Sequence, residues 1–147
     1  MGILFKYIAT LGFIGYICFA PGTFGTLSAF VVYILLKPTD FWLIVMLLIF
    51  VPLGTISAGY TERLLNEKDS KHIVIDEFCG YFCSVLFLPQ SMNYLIAAFF
   101  LFRIFDILKP FPIRRIELIL KGGTGVMADD LAAALYTNAI LQIWRML

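Results

Sequence analysis

The sequence predicts an all-α fold: a polytopic integral membrane bundle with short broken or hairpin helices around one polar site. Three observations predict it. Of the 147 residues, 61% are hydrophobic and 14% are charged, with a mean hydropathy of +0.93, far from the composition of a soluble domain. The apolar runs lack the strand-turn rhythm of a barrel, and backbone groups in lipid must be satisfied within their own segment, so these runs are helices. Finally, seventeen of the twenty-one charged side chains fall within residues 62–77 and 103–130. Those two blocks hold nine of the ten carboxylates, including the adjacent pairs Asp76–Glu77 and Asp129–Asp130. Acid at this density beside membrane-like sequence points to a metal site.

Taken in order, residues 3–20 read as a first helix, and the absence of a small-x-small cleavage site makes it mature structure rather than a signal peptide. Pro21-Gly22-Thr23-Phe24-Gly25-Thr26 breaks it, and a second helix runs to about Leu36. Lys37-Pro38-Thr39-Asp40 is a turn, with Asp40 placed to cap a third helix that begins at Phe41 and continues past Tyr60, long enough to span. From Thr61 to Lys71 the chain turns polar and amphipathic and emerges into water or lies along the headgroups. Asp69 caps the next helix or adds a ligand; Lys71 and His72 read as interfacial.

Residues 78–102 carry no charge but are interrupted at Pro89-Gln90-Ser91. As one kinked span, these 25 residues exceed the roughly 20 needed to cross the hydrocarbon core and would leave the acidic blocks on opposite faces. As a hairpin turning at Pro89–Asn93, with arms of about 15 to 20 Å, they return the chain to the face it left. Topology alone favours the span; a shared site requires the hairpin. A final helix runs from about Ala128 to Met146, and 147 residues make one domain.

The second block rewards closer reading. Arg103 and Asp106 are three apart and share a helical face, which Pro110 ends, leaving Lys109 near the terminus. Gly122-Gly123-Thr124-Gly125 is either a turn between helices or a backbone able to present N–H groups to an anion, and Asp129-Asp130 follows within five residues. Thr23, Thr26 and the glycines around them either line the site or form a tight turn. Gly80, one turn after Asp76, lets a neighbour approach. Arg115, Glu117 and Lys121 read as a solvated face.

Several function classes are excluded on composition. A net charge of +1 gives no field for nucleic acid. Three cysteines and a single histidine, His72, cannot complete a zinc cluster. No cysteine is followed by an arginine at the spacing of a cysteine phosphatase, and one histidine cannot serve both as nucleophile and as acid. A small membrane transporter or channel subunit with an acidic ion path is the alternative reading; it ranks lower because its charges would lie at mid-span, whereas these cluster at helix ends beside Gly and Pro. An alcohol phosphotransferase would carry an Asp-Gly…Ala-Arg opening that is absent.

With PGTFGTL at 21–27, DSKHIVIDEFCG at 69–80, FRIFDILKPFPI at 102–113 and GGTGVMADDLAAA at 122–134, the chain resembles the bacterial phosphatidylglycerophosphatase A family over nearly its whole length. The resemblance implies a magnesium-dependent lipid phosphatase, multi-pass in the inner membrane with its site facing the cytoplasm. Its implied reaction converts phosphatidylglycerophosphate to phosphatidylglycerol, with membrane lipids as the other partners and no nucleic acid. The residues agree with that chemistry. Magnesium takes oxygen ligands, commonly one or two carboxylates with water and substrate phosphate oxygens, and a phosphomonoester needs charge neutralisation and an activated nucleophile. The expected ligands are Asp76, Asp106, Asp129 and Asp130, with one or two ions. Glu77 is the expected orienting group or general base. Arg103, Lys109, Thr23 and Gly123 are expected to hold phosphate, with Arg114 a further cation. The nucleophile is a metal-activated water or a carboxylate.

Overall fold

A computed structural model describes residues 2–68 and 70–147, without the side chain of Glu117. The expectations for Asp69, and for the Glu117 side chain, lie outside the described residues. Among these residues there are seven α-helices and no strand: α1 (Gly2–Ala9), α2 (Pro21–Leu36), α3 (Asp40–Leu65), α4 (Ile75–Ser84), α5 (Met92–Leu108), α6 (Ile113–Ile119) and α7 (Gly123–Met146).

The N-terminal segment departs from the single helix expected over 3–20. The Thr10 hydroxyl donates to the carbonyls of Lys6 and Gly12, and Leu11 and Gly12 take left-handed backbone while the Gly12 N–H bonds the Tyr7 carbonyl. That 6→1 closure with a left-handed glycine stops a helix. A short 3-10 turn at Ile14–Tyr16 follows, and Pro21 sits in the first turn of α2, where its missing N–H costs nothing. The segment PGTFGT therefore starts a helix rather than merely breaking one.

Two further boundaries move. Asp40 opens α3 but does not cap it; its Oδ1 accepts the Phe87 N–H at 2.9 Å, across to the α4–α5 connection. The last helix begins at Gly123, five residues earlier than expected, so the glycine-rich segment forms its first turn and Asp129-Asp130 lie inside it. At 26 residues, α3 is the one helix among the described residues long and apolar enough to cross a membrane. Large apolar side chains nonetheless face outward on other helices, among them Leu35, Phe100, Ile104, Leu135 and Ile143.

Residues 78–102 form a hairpin. α4 and α5 run antiparallel, with Glu77 near Arg103 at one end and the Tyr81 hydroxyl donating to the Leu95 carbonyl at 3.1 Å further along. Gly80 permits the approach, since a Cβ there would come within 2.5 Å of the Phe102 ring. The second arm is longer than expected: α5 has 17 residues, a rise of about 25 Å, whereas the 10 residues of α4 rise about 15 Å. The turn reaches the far end of the bundle and is tied down there. Asn138 of α7 donates to the carbonyls of Ser84 and Leu86, Arg145 to that of Phe87, and Gln90 to that of Pro38. Between the two ends an aromatic core of Phe78, Tyr81 and Phe82, buried against Phe30 and Phe50, fills the bundle. Each such buried ring contributes roughly 1.5–3 kcal/mol relative to exposure in water.

Candidate active site

The segment 70–74 enters α4 under tight constraint. The Ile73 N–H bonds the Ser70 carbonyl, the Val74 N–H bonds the Ala9 carbonyl, and His72 Nδ1 meets the Gly15 carbonyl at 2.8 Å while Tyr16 stacks on its ring. Gly15 lies so close to the His72 carbonyl that a side chain at that position would collide with it. Lodged this way, the segment places Asp76 and Glu77 in the first turn of α4. The hairpin brings Arg103 and Asp106 back from α5, and Lys109 follows with left-handed backbone that closes the helix onto the Phe105 carbonyl. α7 supplies Asp129 and Asp130 from its second turn.

These side chains line one cavity of about 380 Å³ whose other walls include Ala20, Pro21, Gly22, Ser70, Lys71, Ile73 and Ile107. Asp76, Glu77 and Asp130 form its floor: one oxygen from each lies within 4.8 Å of the others. Asp76 Oδ1, Glu77 Oε2 and Asp130 Oδ2 are buried with no hydrogen-bond partner among the described residues. Three clustered carboxylate oxygens without donors are an expensive arrangement in a low-dielectric interior. A hard divalent cation resolves that cost, and an all-oxygen donor set fits magnesium.

The remaining carboxylates have cationic partners. Arg103 Nη1 donates to Asp106 Oδ2 at 2.6 Å and stands 3.6 Å from Glu77 Oε1, while Lys109 Nζ donates to Asp129 Oδ2 at 2.6 Å. The i,i+3 face inferred for Arg103 and Asp106 is thus a direct contact. The geometry groups Glu77, expected as an orienting group or base, with Asp76 and Asp130, and gives Asp106 and Asp129 the two cations.

Asp76, Glu77, Arg103, Asp106, Lys109, Asp129 and Asp130 converge, whereas Arg114, expected as a further cation, is exposed on α6 and does not line the cavity. Thr23 and Gly123 are not among the residues lining the cavity. The Thr23 N–H bonds the Ala20 carbonyl in the first turn of α2, and Gly123 packs α7 onto α3, where a Cβ would strike the Thr55 carbonyl. Gly22 lines the cavity instead; a side chain there would displace the Glu77 carboxylate. Gly22 is one of the glycines left open as lining the site or forming a turn, while sequence reasoning missed Ser70 and read Lys71 as interfacial. Lys71 had one signal, its place five residues before Asp76 in the turn that feeds α4.

The model of the family described as phosphatidylglycerophosphatase A matches residues 7–145. The phosphatidylglycerophosphatase A of Haemophilus influenzae is 38% identical over 134 residues, covering 86% of this chain and 82% of that protein. The Escherichia coli protein of the same name is 33% identical over 124 residues, covering 82% and 72%. A Bacteroides thetaiotaomicron protein, named as a candidate phosphatidylinositol-3-phosphatase, is 39% identical over 139 residues, covering 89% and 87%. No solved structure matches the chain. A match from residue 7 to residue 145 takes in every charged residue of the cavity, and the chain belongs to the phosphatidylglycerophosphatase A family.

Proposed function

We propose that the protein hydrolyses the terminal phosphomonoester of phosphatidylglycerophosphate with magnesium held by Asp76, Glu77 and Asp130, in the bacterial inner membrane with the site on the cytoplasmic side. The observation that carries this reading is the trio of unpartnered carboxylate oxygens at the floor of a cavity whose walls also hold Arg103 and Lys109. When bound, magnesium supplies charge neutralisation for a phosphoryl oxygen and lowers the pKa of a water. The chain's own groups do the rest. With Glu77 Oε2 given to the floor, Glu77 Oε1, turned toward Arg103 at 3.6 Å, is the oxygen left to take a proton from the attacking water and return it to the leaving oxygen. Asp106 holds the Arg103 guanidinium and Asp129 holds the Lys109 ammonium, so both cations are oriented before the phosphate arrives. As water attacks, the bond from phosphorus to the glycerol oxygen breaks, and that oxygen leaves with a proton as the free hydroxyl of phosphatidylglycerol.

Charge distribution supports the embedding. Arg63, Lys68, Lys71, Arg103, Lys109, Arg114, Arg115 and Lys121 gather at the site end, against Lys37 and Arg145 at the end of the hairpin turn. Lys and Arg accumulate on the cytoplasmic side of membrane proteins. α3 spans, and the outward apolar faces of α2, α5 and α7 meet lipid beside it.

The test is phosphate release by the purified protein from phosphatidylglycerophosphate, phosphatidate and phosphatidylinositol 3-phosphate, after chelation and after magnesium is restored. The expected outcome is preference for phosphatidylglycerophosphate, loss of release on chelation and recovery with magnesium. Undiminished release after thorough chelation would remove the metal mechanism, and preference for the inositol lipid would reassign the substrate.

A further inference from the structure

Among the described residues, one cation of the cavity makes no direct contact with an anion. Lys71 lines it, is exposed at its rim, and makes no ion pair or hydrogen bond to any of the described residues. The other two cations of the cavity are committed, Arg103 to Asp106 and Glu77, and Lys109 to Asp129. Asp76 and Asp130 lie at the floor, 7% and 3% exposed, so the cavity grades from a buried acidic floor to an open basic lip. Ser70, beside Lys71, is not a competing anion, and its hydroxyl donates to Glu67 Oε2 at 2.8 Å.

Lys71 is also held in place. Its neighbours are fixed by the contacts of Ile73, Val74 and His72 described above, so the backbone that presents it is anchored on both α1 and the 3-10 turn. A lysine on a lodged turn loses less freedom on binding than one on a free loop.

Resting on the reading given under Proposed function, we propose that Lys71 is a specificity-determining residue that binds the bridging phosphodiester of the substrate while the terminal phosphomonoester occupies the floor. Phosphatidylglycerophosphate carries two phosphates joined by a three-carbon glycerol. The diester is the nearer of the two to the acyl chains, so when the monoester reaches the buried carboxylates the diester is left toward the rim. An ammonium suits it, because a phosphodiester offers one delocalised negative charge and needs no bidentate fork. The same lysine gives nothing to a ligand small enough to sit entirely at the floor.

The experiment compares wild type, Lys71→Gln and Lys71→Arg for the KM of phosphatidylglycerophosphate and for the inhibition constant of inorganic phosphate, a probe that occupies only the reacting position. For Lys71→Gln the expected result is a KM raised roughly tenfold, the factor set by one modest charge-assisted contact, with kcat and the inhibition constant within about twofold of wild type. Lys71→Arg restores the KM. A parallel rise in both constants would place Lys71 on the reacting phosphate, and no change in either would deny it a role; both results overturn the proposal. A wild-type protein that releases no phosphate from this lipid would overturn the underlying reading instead, so the two failures are distinct.

Discussion

Asp129 and Asp130 are neighbours in sequence with different surroundings, and their substitutions should separate. Asp130 has an unpartnered Oδ2 and stands with Asp76 and Glu77 at the floor, whereas Asp129 is bonded to Lys109. On the proposed roles, Asp130→Asn and Asp76→Asn remove a ligand oxygen. Each should abolish the magnesium-induced rise in Tm as well as phosphate release, a loss on the order of 100-fold or more given what single electrostatic groups contribute to catalysis. Asp129→Asn should keep that rise in Tm while lowering activity less, because it weakens the hold on Lys109 without dismantling the floor. Thermal unfolding with and without magnesium reads the difference directly, and loss of the magnesium effect in Asp129→Asn would return this residue to the ligand set. The acids themselves were legible in the sequence because carboxylates are rare in so apolar a chain. Which oxygen faces which partner was not, since that depends on a contact such as Lys109 to Asp129, twenty residues apart.

At the scale of elements, glycines set how closely the helices stand. Gly80 admits the Phe102 ring between α4 and α5, and Gly22 of α2 gives room to Glu77. Gly80→Val should cost about 1–3 kcal/mol by overpacking and lower activity through displacement of α4. Gly22→Ala should leave Tm nearly unchanged while lowering kcat, because it crowds a carboxylate at a cavity wall rather than a packed seam. Denaturation and steady-state kinetics on the two variants test this division, and equal loss of stability in both would contradict it. The sequence announced these elements unevenly. α3 and α5 follow from apolar runs bounded by Pro, Gly and polar residues, close to their observed limits, whereas α2 ends where expected but begins at Pro21, inside the segment read as a break. The early end of α1 could not be read in the same way, because it depends on Thr10 bonding two carbonyls and on a left-handed Leu11, which composition does not signal. The start of α7 was hidden by reading glycines as a loop, when Gly123 is there to let α7 approach Thr55 of α3.

For the whole molecule, the decisive feature is the hairpin. Charge placement showed that two acidic blocks existed; a requirement from chemistry, rather than any property of residues 78–102, argued that they meet. What the sequence did not disclose is how far the hairpin extends, because the polar ties at its turn come from Asn138 and Arg145, more than fifty residues later in the chain. That extent has a consequence for the lipid. Every charged group proposed to act on phosphate sits at the end of the bundle from which the hairpin departs, so the proposed embedding makes the enzyme one-sided: on that proposal substrate and product share a single leaflet, and no headgroup has to be carried across the bilayer. In vesicles holding oriented protein, cysteines introduced at Glu67 and Lys121 should be labelled from one side, and phosphate should appear on that side alone, drawn from at most the half of the lipid pool that faces it.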